Sequence, residues 1–350
     1  MKRKFSRKAL VALFAVSALA LSACSSGDDA SGDVKVSLIL KNQTNPFFVS
    51  MVKGAEAKAA ELGIDLTISS GKEEGDDAAQ IAAIENAISA KHAGIVITVM
   101  STNVNAAITK AREAGLLVIA LDTPTDPADI ADITFATDNR EAGRLIGQWG
   151  AKKLGGQKAV IALLNIFDDR VSPVDYLRDN GFLEGMGIPV NDPNKMADEA
   201  KKGKYSGGDY EIVGNVATGA NEDGGRSGME KLLARNSNIN IVYTINEPTA
   251  IGACAALKAA KKTAIVVSVD GGLSGIEAVK SGCIGATSQQ YPLRMADIGL
   301  QAIYDLVQSG KKPEVTPGKD FFDTGVTLIT DDPQDGVPSE STQYGIDNAW

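Results

Sequence analysis

The chain has 350 residues, with 35 basic against 44 acidic side chains, one histidine and a formal net charge of −9. An acidic body without clustered Lys and Arg speaks against nucleic-acid binding, because phosphate contacts need concentrated positive charge. A single histidine, His92, excludes a His-based metal site and leaves Ser-His-Asp or Cys-His catalysis without its usual base.

The first residues form a leader. Lys2, Arg3, Lys4, Arg7 and Lys8 make a cationic start, and Ala9 to Ala20 an apolar stretch too short for a comfortable membrane span. Leu21-Ser-Ala-Cys24 and the polar run to Asp33 resemble a bacterial lipobox and its tether. The expectation is a signal peptide over residues 1–23, a diacylated Cys24 as new N-terminus, and a flexible tether over 24–33. Each acyl methylene buried in lipid contributes about 0.8 kcal/mol. The body is then exported and held at the outer face of the cell membrane, facing the periplasm if there are two membranes. Removing the leader's five basic residues leaves 30 against 44 acidic ones, a net charge of −14.

From Val34 onward, strands and helices alternate. Val34–Leu40 reads as a strand. Asn45-Pro46 turns the chain into a helix over Phe48–Leu62, whose apolar positions recur at three and four residues, with Gly63 as its stop. Ile64–Ile68 is a strand and Asp77–Ala90 a helix. Ile133–Thr137 is a strand and Glu141–Leu154 a helix. A second series begins at Lys158–Leu164, with a helix over Val174–Met186, a strand over Glu211–Val216 and a helix over Gly224–Ala234. Ile284–Ser288 is a strand and Met295–Gln308 the last long helix. The alternation indicates parallel sheets with helices on both faces, and two series indicate two similar lobes. Gly187–Asp209 and the tail from Pro333 read as surface loops. Cys254 and Cys283 read as small buried hydrophobes, although export also permits a disulfide. His92 reads as solvated.

One unit occurs twice. Gly94–Val99, an Ala-rich helix and Val118–Leu121 lead to Asp122. Ile241–Ile245, another Ala-rich helix and Ala264–Val269 lead to Asp270. Ligands of parallel α/β sheets sit outside the carboxyl ends of strands, so two matched carboxylates suggest one ligand gripped from two sides. Either aspartate alone could instead cap the following segment. Phe47 and Phe48 could be core, or one ring could form a flat wall for a sugar's C–H face. Arg178 could reach a ligand with its planar fork or make a surface ion pair. The loop Asp270-Gly-Gly-Leu-Ser-Gly275 lacks the Gly-x-Gly-x-x-Gly spacing, and its leading carboxylate would repel a pyrophosphate.

Asn45-Pro-Phe-Phe, Leu121-Asp122-Thr, Arg178 before Gly-Phe, Asn246-Glu-Pro, Val269-Asp270-Gly-Gly and Ser288-Gln-Gln290-Tyr-Pro together resemble the periplasmic sugar-binding proteins of the ribose/galactose type. The resemblance is greatest to the fructose-type binding lipoproteins of ABC importers. It implies the type I periplasmic binding protein fold, with two Rossmann-like lobes. Residues 34–137 plus 291–323 would form the N-terminal lobe, and 138–290 plus 324–350 the C-terminal lobe. Three crossings, near Asp138, Tyr291 and Asp323–Gly325, would make the hinge. It also implies that Asn45, Phe47, Phe48, Asp122, Arg178, Asn246, Asp270 and Gln290 line a sugar site, and Thr123 beside Asp122 is expected to contact the ligand with them. The family often carries Arg after the first aspartate, where this chain has Thr123, and a far-lobe aromatic where it has Ala220. Both departures argue against ribose itself. Lys41 and the loop Phe167-Asp168-Asp169 are candidate substitutes.

The resulting expectation is a monomeric, lipid-anchored importer component without catalysis, cofactor or metal. It would take a monosaccharide, fructose-like first, other pentoses, hexoses or polyols next, and deliver it to ABC permease subunits. The alternative is an exported receptor passing a sugar or furanose signal to a membrane sensor kinase. A repressor of this fold would need an N-terminal DNA-binding helix pair, and a dehydrogenase a true dinucleotide loop. Asp122 and Asp270 as a glycosidase pair is the remaining catalytic possibility.

Overall fold

The computed structural model describes residues 34–350. The leader, Cys24 and the tether lie outside the described residues. The strands are β1 (Val34–Leu40), β2 (Ile64–Ser70), β3 (Gly94–Ile97), β4 (Leu117–Leu121), β5 (Ile133–Ala136), β6 (Ala159–Asn165), β7 (Lys202–Tyr205), β8 (Gly208–Ala217), β9 (Ile241–Thr244), β10 (Ile265–Asp270), β11 (Ala286–Gln289), β12 (Phe322–Asp323) and β13 (Thr327–Ile329). The helices are α1 (Pro46–Leu62), α2 (Asp77–Ser89), α3 (Asn105–Glu113), α4 (Asn139–Lys153), α5 (Pro173–Met186), α6 (Glu222–Arg235), α7 (Glu247–Ala259), α8 (Leu273–Lys280), α9 (Pro292–Ser309) and α10 (Thr342–Asp347).

Two sheets result. The first runs β12-β5-β4-β3-β1-β2 and is parallel throughout. The second runs β13-β11-β10-β9-β6-β8-β7, parallel except for β13 on β11 and β7 on β8. The central order is the same in both: second strand, first, third, fourth, fifth. Each sheet therefore has its own switch point, between β1 and β3 and between β6 and β9, where the strand ends open a crevice. Apolar residues cover both faces of each sheet. In β1, Val36, Leu38 and Leu40 pack on one side and Ile39 on the other, the alternation that a doubly covered strand requires.

The chain passes between the sheets three times: after β5 into α4, after β11 into α9, and from β12 into β13. Polar contacts tie these passages together. Thr137 Oγ1 donates to Gly325 O at 3.1 Å, Tyr291 and Thr327 share a hydroxyl contact at 2.8 Å, and Lys319 pairs with both Asp138 and Asp323.

Several loop expectations fail. Within Gly187–Asp209 lies β7, which pairs antiparallel with β8. Lys202-Gly-Lys-Tyr is an edge strand with exposed lysines, so it has no apolar run to reveal it. The tail carries α10, and the terminal Trp350 stacks edge-on against Phe47 with centroids 5.4 Å apart. Gly271-Gly272 leads into a further helix, α8. Cys254 and Cys283 form a disulfide, with Cα atoms 5.9 Å apart, and are not free thiols. Tertiary packing alone brings these two together, 29 residues apart in sequence. His92 is half-buried, with Nδ1 2.8 Å from Ser37 Oγ, and burial lowers its pKa.

Candidate functional site: a charged cavity between the sheets

The carboxyl ends of the two sheets face each other across a small cavity of about 30 Å³. From the first sheet come Lys41, Asn45, Phe47, Phe48, Glu74 and Asp122. From the second come Ile166, Val174, Arg178, Ala220, Ile245, Asn246 and Asp270, and Gln290 enters at the second passage. A larger hollow beside it, lined among others by Thr125, Asp126, Arg140, Tyr176 and Phe321, includes nothing from the exits of β6, β9 and β10.

Asp122 follows β4 in the left-handed region, φ 63°. A non-glycine residue adopts that conformation at a cost, usually where the surroundings enforce it. Here its N–H donates to Phe135 O and its carbonyl accepts from Asn139 Nδ2, so β5 and the start of α4 hold it. One carboxylate oxygen accepts from Thr123 Oγ1 at 2.9 Å and the other from Arg178 Nη2 at 3.3 Å. Thr123 is itself fully buried and does not line the cavity, so the expectation of a direct ligand contact is corrected: it acts through Asp122.

Asp270 ends β10 with φ 147°. Its Oδ1 accepts from Gln290 Nε2 at 3.0 Å and lies 3.9 Å from Arg178 Nη1. Behind it lies Glu247, fully enclosed, which accepts from Gly271 N at 2.8 Å, Gly272 N at 3.1 Å and Thr287 Oγ1 at 2.7 Å. A Cβ on Gly275 would fall 1.8 Å from the Glu247 carboxyl carbon. The Gly-Gly-x-x-Gly loop thus makes room for a buried carboxylate, not a phosphate. Burial raises the pKa of both acids; Asp270 raises Glu247 further, while Arg178 opposes the rise at Asp270.

Arg178 joins the two exits. Its Nε donates to Asn139 Oδ1 at 2.8 Å and Nη1 to Ile245 O at 3.0 Å, and its fork spans Asp122 and Asp270. The residue is 4% exposed, so it makes no surface ion pair. Close packing of α4 on α5 puts it there: a Cβ on Gly143 would lie 2.2 Å from Arg178 O, and one on Gly181 2.2 Å from Arg140 O.

Asn45 caps α1, its Oδ1 accepting from Phe47 N at 2.9 Å, and lines the cavity. Asn246 caps α7 through Thr249 and donates to Ala220 O, so much of its amide is already committed. Phe47 and Phe48 are both core and wall, edge-to-face at 5.4 Å, and both border the cavity. The open alternatives for these rings were therefore not exclusive. Ile166, Val174, Ala220 and Ile245 form the apolar face opposite. Phe167 and Asp168 line a different hollow, and Asp169 pairs with Arg170, so that loop supplies no substitute contact.

Sequence reasoning missed Glu74, Glu247 and Asn139. Glu247 stood inside a quoted motif without a role. Glu74 and Asn139 carried no local signal, because each acts through neighbours distant in sequence.

At the cavity's outer side the lobes also touch. Arg170 Nη1 donates to Gly75 O at 2.7 Å and to Asp77 Oδ2 at 3.1 Å, and Thr102 N donates to Val171 O at 3.1 Å.

Residues 36–312 match the periplasmic binding protein domain family. The chain is 29% identical over 309 residues to the ribose import binding protein RbsB of Haemophilus influenzae, covering 88% of this chain and 96% of that protein. It is 26% identical over 302 residues to the D-allose-binding periplasmic protein of Escherichia coli, covering 84% and 91%. Among solved structures it resembles an ABC transporter solute binding protein from Agrobacterium vitis with bound D-fucose, at 26% identity and TM-score 0.71, over 85% of this chain and 95% of that one. A galactofuranose binding protein, 21% identical, shares the fold with TM-score 0.73 over 90% and 97%.

Proposed function

Because this chain belongs to the periplasmic binding protein domain family, we propose that it is the exported substrate-binding component of an ABC importer, taking a monosaccharide between Asp122 and Asp270. The observation that carries this reading is Arg178, which brings both strand-end carboxylates to one cavity walled by Phe47 and Phe48. Ionised carboxylates accept hydroxyl hydrogen bonds strongly, a guanidinium donates to ring or hydroxyl oxygens, and the aromatic wall packs on C–H faces. Asn45, Asn246 and Gln290 complete the polar rim. Contacts made to both lobes at once give the ligand its differential affinity for the closed form, which rotation about the three passages would create. A permease would recognise that form.

Import is supported by the relatives, named as ribose import and allose-binding proteins, and by the solute binding protein with D-fucose. The finer reading is a fructose-like ligand, because Thr123 and Ala220 stand where ribose-type sites often carry an arginine and a ring. Anchoring through Cys24, a tether over residues 24–33 and action as a monomer belong to the same proposal.

The test is calorimetric titration and thermal shift with D-fructose, D-ribose, D-allose, D-arabinose, D-fucose and myo-inositol. A sugar at about 100 times its dissociation constant should add about 2.7 kcal/mol of stability. No shift with any of them sinks the sugar reading. Release of the protein from membranes by Cys24→Ser would support the anchor, and unchanged fractionation would remove it.

A further inference from the structure

Asp122, Asp270 and Arg178 leave a second pair of charges in the cavity without a role. Lys41 follows β1, is 2% exposed and lines the cavity, its main chain pinned by Lys41 N donating to Thr98 Oγ1 at 3.0 Å. It takes part in none of the ion pairs among the described residues around the cavity. Glu74 lies in the turn between β2 and α2 and also lines the cavity. Its Oε1 accepts from Asn42 Nδ2 at 3.3 Å, while Oε2 is buried with no hydrogen-bond partner. Part of the residue reaches the surface, but the carboxyl group is enclosed, and that burial pushes its pKa up against the pull of Lys41 and Arg178. A buried acceptor without a donor is costly, so an orphaned carboxylate oxygen aimed into a cavity marks a place where a ligand supplies the donor.

Strand order fixes which end of the cavity this is. β1 and β2 lie at the edge of the first sheet away from β5 and β12, where the chain passes between lobes, and β4 with Asp122 lies between. Lys41 and Glu74 thus occupy the end remote from the passages. The turn that carries Glu74 is held from the other lobe, by Arg170 on Gly75 O and Asp77. Within its own lobe the turn is also held by Gly75 N donating to Met100 Sδ at 3.0 Å and Gly71 N to Leu40 O at 3.3 Å.

We infer that Glu74 and Lys41 form a second reading point for one ligand hydroxyl, which donates to Glu74 Oε2 and accepts from Lys41, making Glu74 a specificity-determining residue. This rests on the monosaccharide reading above. A hydroxyl is both donor and acceptor and satisfies both partners. An ammonium group satisfies only Glu74, and a deoxy carbon neither. Sites built to bond a hydroxyl discriminate strongly against the analogue that lacks it, because the buried partners are left unpaired. The ligand class is a monosaccharide or polyol long enough to reach from Asp270 to Glu74 with a hydroxyl at that far end.

The experiment uses the mature chain and the tightest-binding sugar of the panel, followed by its monodeoxy series, titrated against wild type, Glu74→Gln, Glu74→Asp and Lys41→Met. The Glu74 variants should bind the parent sugar at least tenfold more weakly. One deoxy analogue, and only one, should bind wild type and variants within threefold of each other. Lys41→Met should show the same positional pattern, and it serves as the test if Glu74→Gln does not fold. Parent-sugar affinity within threefold of wild type in Glu74→Gln overturns the inference, and so does an equal loss across every analogue. If the wild type binds no sugar, the monosaccharide reading fails and takes this inference with it, whereas failure of the variants alone leaves that reading standing.

Discussion

The two strand exits look alike in sequence and differ in the structure. Asp122 and Asp270 each stand at the exit of a central strand, adopt a positive φ and are 4% exposed. Asp122 is held by a hydroxyl, Thr123, and by the nearer arm of Arg178. Asp270 is held by a neutral amide, Gln290, sits farther from Arg178, and has a second carboxylate, Glu247, at its back. One exit is a compensated charge and the other a crowded one. The same residue type at the same place in a repeated unit therefore has different electrostatics, set by what the opposite lobe and the next loop bring to it.

Removing the shared cation should have the largest effect. Arg178→Ala leaves two buried carboxylates facing each other, and breaking a buried ion pair costs about 3–5 kcal/mol. The expected result is a large fall in the ligand-free melting temperature together with loss of sugar binding, read by calorimetry. A variant that melts like wild type would mean that Arg178 does not link the exits.

Next come the aspartates themselves. Asp270→Ala should weaken sugar binding about 100-fold, about 2.7 kcal/mol, while leaving the fold intact. Neutralisation without loss of shape should separate the exits. Asp270→Asn should leave ligand-free stability at pH 8 unchanged or raised, since it relieves the crowding with Glu247, and Asp122→Asn should lower it. Equal effects in denaturant titrations would erase the distinction.

The third test is pH. Burial raises Asp175 to about 7, and Glu247 and Asp270 are raised as well. Raised acids bind more protons in the folded chain than in the unfolded one. Their contribution is full below the ordinary carboxylate range and is lost as pH rises through about 7. Asp169, Asp209 and Glu211 are shifted the opposite way, but the two aspartates are exposed and Glu211 half-exposed, so solvent screens them. Ligand-free melting temperature should therefore fall between about pH 5 and pH 8, with a shallower slope in Glu247→Gln. A flat profile in wild type would show that these acids are not held as described.

The smallest effect expected is Thr123→Val, which removes one donor from Asp122 and keeps the volume. Sugar affinity should drop several-fold, in line with about 1 kcal/mol for a single hydrogen bond. Unchanged affinity would leave Asp122 oriented by Asn139 and Arg178 alone.

Much of this was legible in the chain because it is local. Apolar runs and helical periods marked the central strands and all but two of the helices, and the exits that carry Asp122 and Asp270 followed directly. Asn45, next to Pro46, and Asn246, two residues before Pro248, were visible at helix starts, the positions they cap. What stayed hidden has no local signal. β7 is a lysine-bearing edge strand that takes its form from pairing with β8. α10 and Trp350 make sense only once Phe47 is there to meet them.

An alternating α/β chain, the doubling of one strand–helix–strand unit and two carboxylates at matching exits can be read from the residues in order, since strand and helix periods are written in adjacent positions. What those carboxylates face is a matter of packing. Arg178 reaches both because glycines let α4 and α5 approach closely, Glu247 enters because Gly275 has no side chain, and Glu74 arrives on a turn held from the other lobe. Each depends on groups far apart in the chain, and burial sets their charge energetics only after those groups have been brought together.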